Sequence, residues 1–116
     1  MKNKLEEIQN VISDLRKELP EQMKAFQNFL AASEKPSVLD TRQKELISIA
    51  LSICAQCEWC IAFHVKNAFS AGASRQEILD ASSLSVLMHG GPALMYMIPL
   101  LEALDEFEPI EERVEN

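Results

Sequence analysis

Only three glycines, Gly72, Gly90 and Gly91, occur among the 116 residues, and no stretch sustains the apolar–polar alternation of a half-buried strand. A hairpin also needs a tight-turn signal such as Asn-Gly, and none is present. The chain is therefore expected to be all-α, its core built by five to six helices packed on one another.

Spacing and punctuation place those helices. Leu5, Ile8, Ile12, Leu15 and Leu19 recur at three and four residues and form one stripe of a first amphipathic helix over about 3–19. Two heptads are too few for a coiled coil, so the stripe is expected to pack on the rest of the chain. Pro20 suits the first turn of a second helix bearing Met23, Phe26, Phe29 and Leu30, which fades at Glu34-Lys35-Pro36. Asp40 and Gln43 resemble a capping box opening a third helix through ELISIALSICA, apolar on nearly all sides and hence the expected buried centre. A fourth helix runs from about Glu58 to Ala71 and stops at Gly72, free to take the left-handed conformation. Ser74 and Glu77 form a second capping box for a fifth helix to about His89. After Gly90-Gly91-Pro92 a last apolar stretch contains Pro99, which either kinks a helix or opens a new one.

A chain of 13.1 kDa can bury one core, and with 47% hydrophobic and 25% charged residues it reads as a single folded domain. The ending at 108–116, EPIEERVEN, is acidic and reads as a solvated tail. A net charge of −7 has the wrong sign for a phosphate backbone or an anionic bilayer, so neither nucleic acid nor membrane is an expected partner. No apolar run is long enough to cross a bilayer, and the opening MKNKLEEIQN carries charge where an export signal needs an apolar core. The expected location is cytoplasmic.

The informative segment is CAQCEWCIAFH. Cys54, Cys57 and Cys60 lie within seven consecutive positions, an odd clustered set that argues for thiol chemistry or metal binding over a structural disulfide framework. Cysteines three apart on a helix stand on neighbouring faces and can close a small disulfide ring; His64, four after Cys60, lies directly above it. A thiol near a helix N-terminus or beside an imidazolium has its pKa lowered from about 8.5 to roughly 3.5–7.5, which makes it reactive. Glu45 is the candidate fourth member. On one unbroken helix it would stand about 28 Å from His64, but a reversal around Gln56 would set the two on antiparallel helices packed roughly 8 to 10 Å apart, within reach of a hydrogen bond.

Glu45, Cys57-x-x-Cys60 and His64 at this spacing, with KELISIALSICAQC, the AGAS turn and GGPALMY around them, resemble the AhpD-like alkylhydroperoxidases of the carboxymuconolactone decarboxylase superfamily. The resemblance covers about residues 20–105. It implies an all-helical fold assembling into trimers or hexamers, and reduction of a hydroperoxide substrate through the cysteine pair. By the same resemblance Cys60 is the peroxidatic thiol, Cys57 the resolving thiol, and His64 and Glu45 the proton relay. An external dithiol, a lipoylated or thioredoxin-like protein, resets the pair, and no organic cofactor is needed. One departure stands out: Trp59 occupies the place of a second histidine in the best-studied members, and an indole relays no proton. Members that lack the cysteines carry out decarboxylase chemistry, a branch against which the cysteines here argue.

Other readings compete. Cys54, Cys57, Cys60 and His64 supply the ligand types of a Cys3His zinc site, though three ligands on one rigid helix suit a tetrahedral ion poorly. A non-catalytic, redox-sensing oligomeric protein would keep the disulfide without turnover. Cys54 is expected in the core, His89 at a helix end, and Met88, Met95, Tyr96 and Met97 in the core or a subunit contact. Trp59 either packs at an oligomer contact or roofs the thiol pocket.

Overall fold

A computed structural model describes residues 1–111. Among these residues every regular element is helical: α1 (Lys2–Glu18), α2 (Pro20–Glu34), α3 (Thr41–Cys54), α4 (Glu58–Ser70), α5 (Arg75–His89), α6 (Gly91–Met95) and α7 (Met97–Phe107). The fold is all-α as expected, with one short helix more than the sequence suggested. Most of the acidic tail lies outside the described residues, and no helix among those described is long and apolar enough to cross a membrane.

Local chemistry sets the boundaries. Both capping boxes form: Asp40 accepts from the Gln43 amide and Ser74 from the Glu77 amide, and each N3 side chain reaches back to the cap backbone. At the end of α4 the Ala73 amide donates to the Ala68 carbonyl and the Gly72 amide to that of Phe69, with Gly72 at φ +91°. These are the paired bonds of a Schellman motif, with glycine in its left-handed place. Of the two outcomes expected at Pro99, a kink or a new helix, the second holds: α7 opens with Pro99 in its first turn. The break comes at Tyr96, and Pro99 is the third residue of α7, where an amide has no intrahelical partner to lose.

The core lies between α3, α4, α5 and α7. Ile49 and Ile53 of α3, Ile61 and Val65 of α4, Ile78 of α5 and Leu100 and Leu104 of α7 are all fully buried. Each stabilises the fold by about 1.5–3 kcal/mol relative to its exposed state. Ala68, Ala93 and Ala103 sit in the same cluster, where a small side chain lets helices approach closely. One expectation needs correction. Helix α3 is central, but Ile47 and Leu51 on its outer face are exposed, while Glu45 and Ser52 are buried. Periodicity showed an apolar surface and could not say which part of it finds a partner within one chain. Helices α1 and α2 bury no residue fully. They form a hairpin whose first arm packs on α4, with Arg16 Nε donating to Gln27 Oε1 across the pair.

Candidate active site

The site is built on the corner between α3 and α4. The Cys57 amide donates to the Ser52 carbonyl and the Gln56 amide to that of Ile53, a second Schellman pattern, with Gln56 at φ +56° where glycine is usual. The chain therefore reverses at Gln56, and α4 runs back along α3. Cys57 stands just before the helix, which starts at Glu58 as expected. It is the N-cap of α4, in extended conformation, and its Sγ accepts a hydrogen bond from the Cys60 amide at 3.2 Å. The sulfur takes the place of the hydroxyl or carboxylate that normally satisfies a first-turn amide.

Cys57 and Cys60 are joined as a disulfide, with Cα atoms 5.3 Å apart. Cys54 is a free thiol, half-buried at the end of α3. One turn beyond Cys60, His64 Nδ1 stands 2.7 Å from Glu45 Oε2. Glu45 is 5% exposed, so this contact is shielded from water on the carboxylate side. A carboxylate oxygen accepts, so in this hydrogen bond Nδ1–H is the donor, and the contact fixes the orientation of the imidazole ring. The four residues singled out by spacing thus fall into two contacting pairs on the α3–α4 hairpin, Cys57 with Cys60 and Glu45 with His64, and Cys60 and His64 line the same cavity.

The hairpin of α1 and α2 completes the site. Ile8, Ile12 and Leu15 of α1 face Met23, Phe26 and Leu30 of α2 across a cavity of about 370 Å³, and Cys60, Phe63 and His64 of α4 form its floor. Lys44 of α3 holds the end of α2 in place, its Nζ donating to the carbonyls of Ser33 and Lys35 at 2.9 and 2.5 Å. The sequence marked these apolar residues only as packing stripes. The signal that they line a cavity was the excess of large apolar side chains on α1 and α2, more than one helix pair can bury.

Trp59 does not roof this cavity. It lies on the outer side of α1, where its Nε1 donates to Glu7 Oε1 at 3.2 Å and Lys4 Nζ stands 5.2 Å from the ring centroid. Lys4 also pairs with Glu58. The two residues between the cysteines, Glu58 and Trp59, thus tie the start of α1 to the start of α4. His89 is exposed at the end of α5. Among the described residues no three His, Cys, Asp or Glu side chains are arranged to hold a metal ion, and joined sulfurs offer no thiolate ligands.

Known proteins share this architecture. The pattern of the carboxymuconolactone decarboxylase family matches residues 20–103. An uncharacterized protein of Cupriavidus necator is 31% identical over 105 residues, which span 90% of this chain and 93% of that one. Uncharacterized protein 4 in the cox locus of Paracoccus denitrificans is 37% identical over 83 residues, 69% of this chain and 75% of that protein. The crystal structure of an apo carboxymuconolactone decarboxylase family protein from Legionella pneumophila superposes with a TM-score of 0.88 at 38% identity, covering 93% of this chain and 96% of that one. A family protein from Thermotoga maritima, with a suggested part in the antioxidative response, superposes at 0.82 with 24% identity over 95% of this chain and 94% of its own.

Proposed function

This chain belongs to the carboxymuconolactone decarboxylase family, and from that premise we propose that it is a thiol-dependent oxidoreductase that reduces hydroperoxides, or disulfides, through Cys57 and Cys60. The observation that carries this reading is the presence, on one helical hairpin, of the Cys57–Cys60 disulfide and of the 2.7 Å contact between His64 and Glu45, with Cys60 and His64 lining one cavity.

In the forward reaction the Cys60 thiolate attacks the terminal oxygen of ROOH. An S–O bond forms, the O–O bond breaks, and RO⁻ takes a proton supplied through His64 and leaves as ROH. Sulfur loses two electrons and becomes a sulfenic acid. The Cys57 thiolate then attacks that sulfur; the S–S bond forms and hydroxide leaves as water with a second proton. An external dithiol, on a lipoylated or thioredoxin-like protein, reduces the disulfide by exchange and is itself oxidised. The division of roles is supported by position. Cys60 lies on the cavity floor with His64, whereas Cys57 sits at the corner, its sulfur against the Cys60 amide and the positive end of the α4 dipole. An antioxidative role, suggested for the Thermotoga relative, fits the same chemistry.

The protein works as a homo-oligomer, a trimer or hexamer, in this reading. Leu84, Leu87 and Met88 of α5, Leu94 and Met95 of α6 and Ile98 of α7 are exposed together on adjoining helices, more apolar surface than a monomer ordinarily shows to water.

The test is thiol titration of the reduced protein before and after one equivalent of hydroperoxide. Loss of two thiols per chain, followed by turnover once a dithiol is added, is the expected result. Disulfide formation without turnover on any hydroperoxide or disulfide would instead make the chain a redox sensor.

A further inference from the structure

Glu34, the last residue of α2, is a carboxylate that the chemistry above leaves unused, yet it borders three cavities around the Glu45–His64 pair. It lines the apolar cavity with Cys60 and His64, a cleft of about 350 Å³ with Glu45 and His64, and a polar cleft of about 340 Å³ with Glu45, Thr41, Asn67 and Ser70. We propose that Glu34 is the outer member of the proton path, passing protons between water and the Glu45–His64 pair through the two clefts between α2, α3 and α4, which no cysteine lines. This inference rests on the peroxidase reading above and adds a residue that acts through His64.

The reaction needs such a route. The two thiols release two protons as they ionise, and RO⁻ and hydroxide take up two as they leave as ROH and water. These events are separated in time, so His64 gives a proton to RO⁻ and regains one from water before the second leaving group departs. The walls beside Cys60 are mostly apolar and carry protons poorly. On the side of Glu45, Thr41, Asn67 and Ser70 give a polar lining, and the cleft has room for several waters at about 30 Å³ each. Glu34 is held at this place. Lys44 Nζ donates to the carbonyls of Ser33 and Lys35, the residues on either side of it, which fixes the end of α2 against α3. Lys44 is thereby engaged by backbone oxygens, and among the described residues the half-buried Glu34 carboxylate has no ion pair or hydrogen bond. Nor does its charge serve the helix, because a carboxylate at a helix C-terminus meets the negative end of the dipole.

Glu34→Gln keeps the size of the side chain and removes the acid that exchanges protons. Turnover of tert-butyl hydroperoxide with excess dithiol in dilute buffer is expected to fall about tenfold, less than the loss of about 10²–10⁴ for a group acting directly on the reactants. Imidazole added at constant pH and ionic strength carries protons in place of the carboxylate, so the rate should return in Glu34→Gln and stay unchanged in the wild type. Glu34→Asp should keep most of the rate. Exchange of the His64 ring N–H with water, followed by NMR in the disulfide form, gives a reading that needs no turnover, and it should slow severalfold in Glu34→Gln. The other histidine, His89, is exposed and exchanges too fast to interfere. Slower exchange in Glu34→Gln, with no oxidation of the wild type by any hydroperoxide or disulfide, would sink the peroxidase reading and leave the proton path standing. Unchanged exchange and turnover in Glu34→Gln, or slow turnover that imidazole does not restore, would overturn the role of Glu34.

Discussion

Replacing Glu45 is the sharpest probe of whether the buried pair is functional. In Glu45→Gln the amide oxygen can still accept from His64 Nδ1, but a charge-assisted hydrogen bond of about 1.5–3 kcal/mol becomes a neutral one of about 0.5–1.5. The loss of about 1.4 kcal/mol corresponds to about tenfold in the rate of Cys60 oxidation at pH 7. Glu45→Ala removes the acceptor, leaves a partly buried ring nitrogen without its partner and frees the imidazole to turn. Its cost approaches that of His64→Gln, which removes the general acid–base and is expected to slow the reaction by about 10²–10⁴. In the proposed relay Glu45 acts through His64, so the double variant Glu45→Ala/His64→Gln should be no slower than His64→Gln alone. Trp59, the sole tryptophan, lies between the two cysteines, so stopped-flow fluorescence follows disulfide formation directly. Additive losses in the double variant, or a Glu45→Ala rate equal to wild type, would refute the relay.

Three further outcomes follow from the same geometry. Cys57→Ser should accumulate a sulfenic acid on Cys60 that a dimedone-type reagent traps, and Cys60→Ser should give no such adduct on Cys57; the reverse pattern, read by mass spectrometry, would exchange the two roles and mean that the α4 dipole outweighs the imidazole. Gln56→Gly relieves a left-handed backbone that costs a residue with a Cβ about 1–2 kcal/mol, so the melting temperature should rise by several degrees, and Gln56→Val should lower it. Sedimentation at micromolar concentration should show a species several times 13.1 kDa, and Leu87→Lys/Met88→Lys should shift it towards the monomer; a wild-type monomer would rule out the assembly.

How much of this was legible in the sequence depends on whether the signal was local. Asp40 with Gln43 and Ser74 with Glu77 act within four residues, and both boxes stand where the pattern put them. Gly72 likewise ends α4 by its own backbone freedom. The contact of Glu45 with His64 required a reversal at Gln56, which the sequence offered only as a condition, because glutamine is not a residue that usually closes a helix. The exposure of Ile47 and Leu51 was not legible either: an all-round apolar helix states its appetite for burial and not which neighbours exist to meet it. The same holds for α1 and α2, whose stripes meet across a cavity instead of a closed seam.

The position of Cys57 draws these features together. Its amide closes the Schellman turn of α3 and its sulfur caps α4, so one residue fixes both ends of the corner and the direction of the helix that carries Cys60 and His64. A serine there would cap as well or better, and an alanine would leave the Cys60 amide without its acceptor, at about 0.5–2 kcal/mol. Cysteine is the residue that both caps and bonds to a second sulfur. In the proposed chemistry the contact that positions Cys57 for folding is also the one that holds its sulfur beside Cys60 for disulfide closure. Stability and redox chemistry are in this way coupled through a single hydrogen bond at the start of α4.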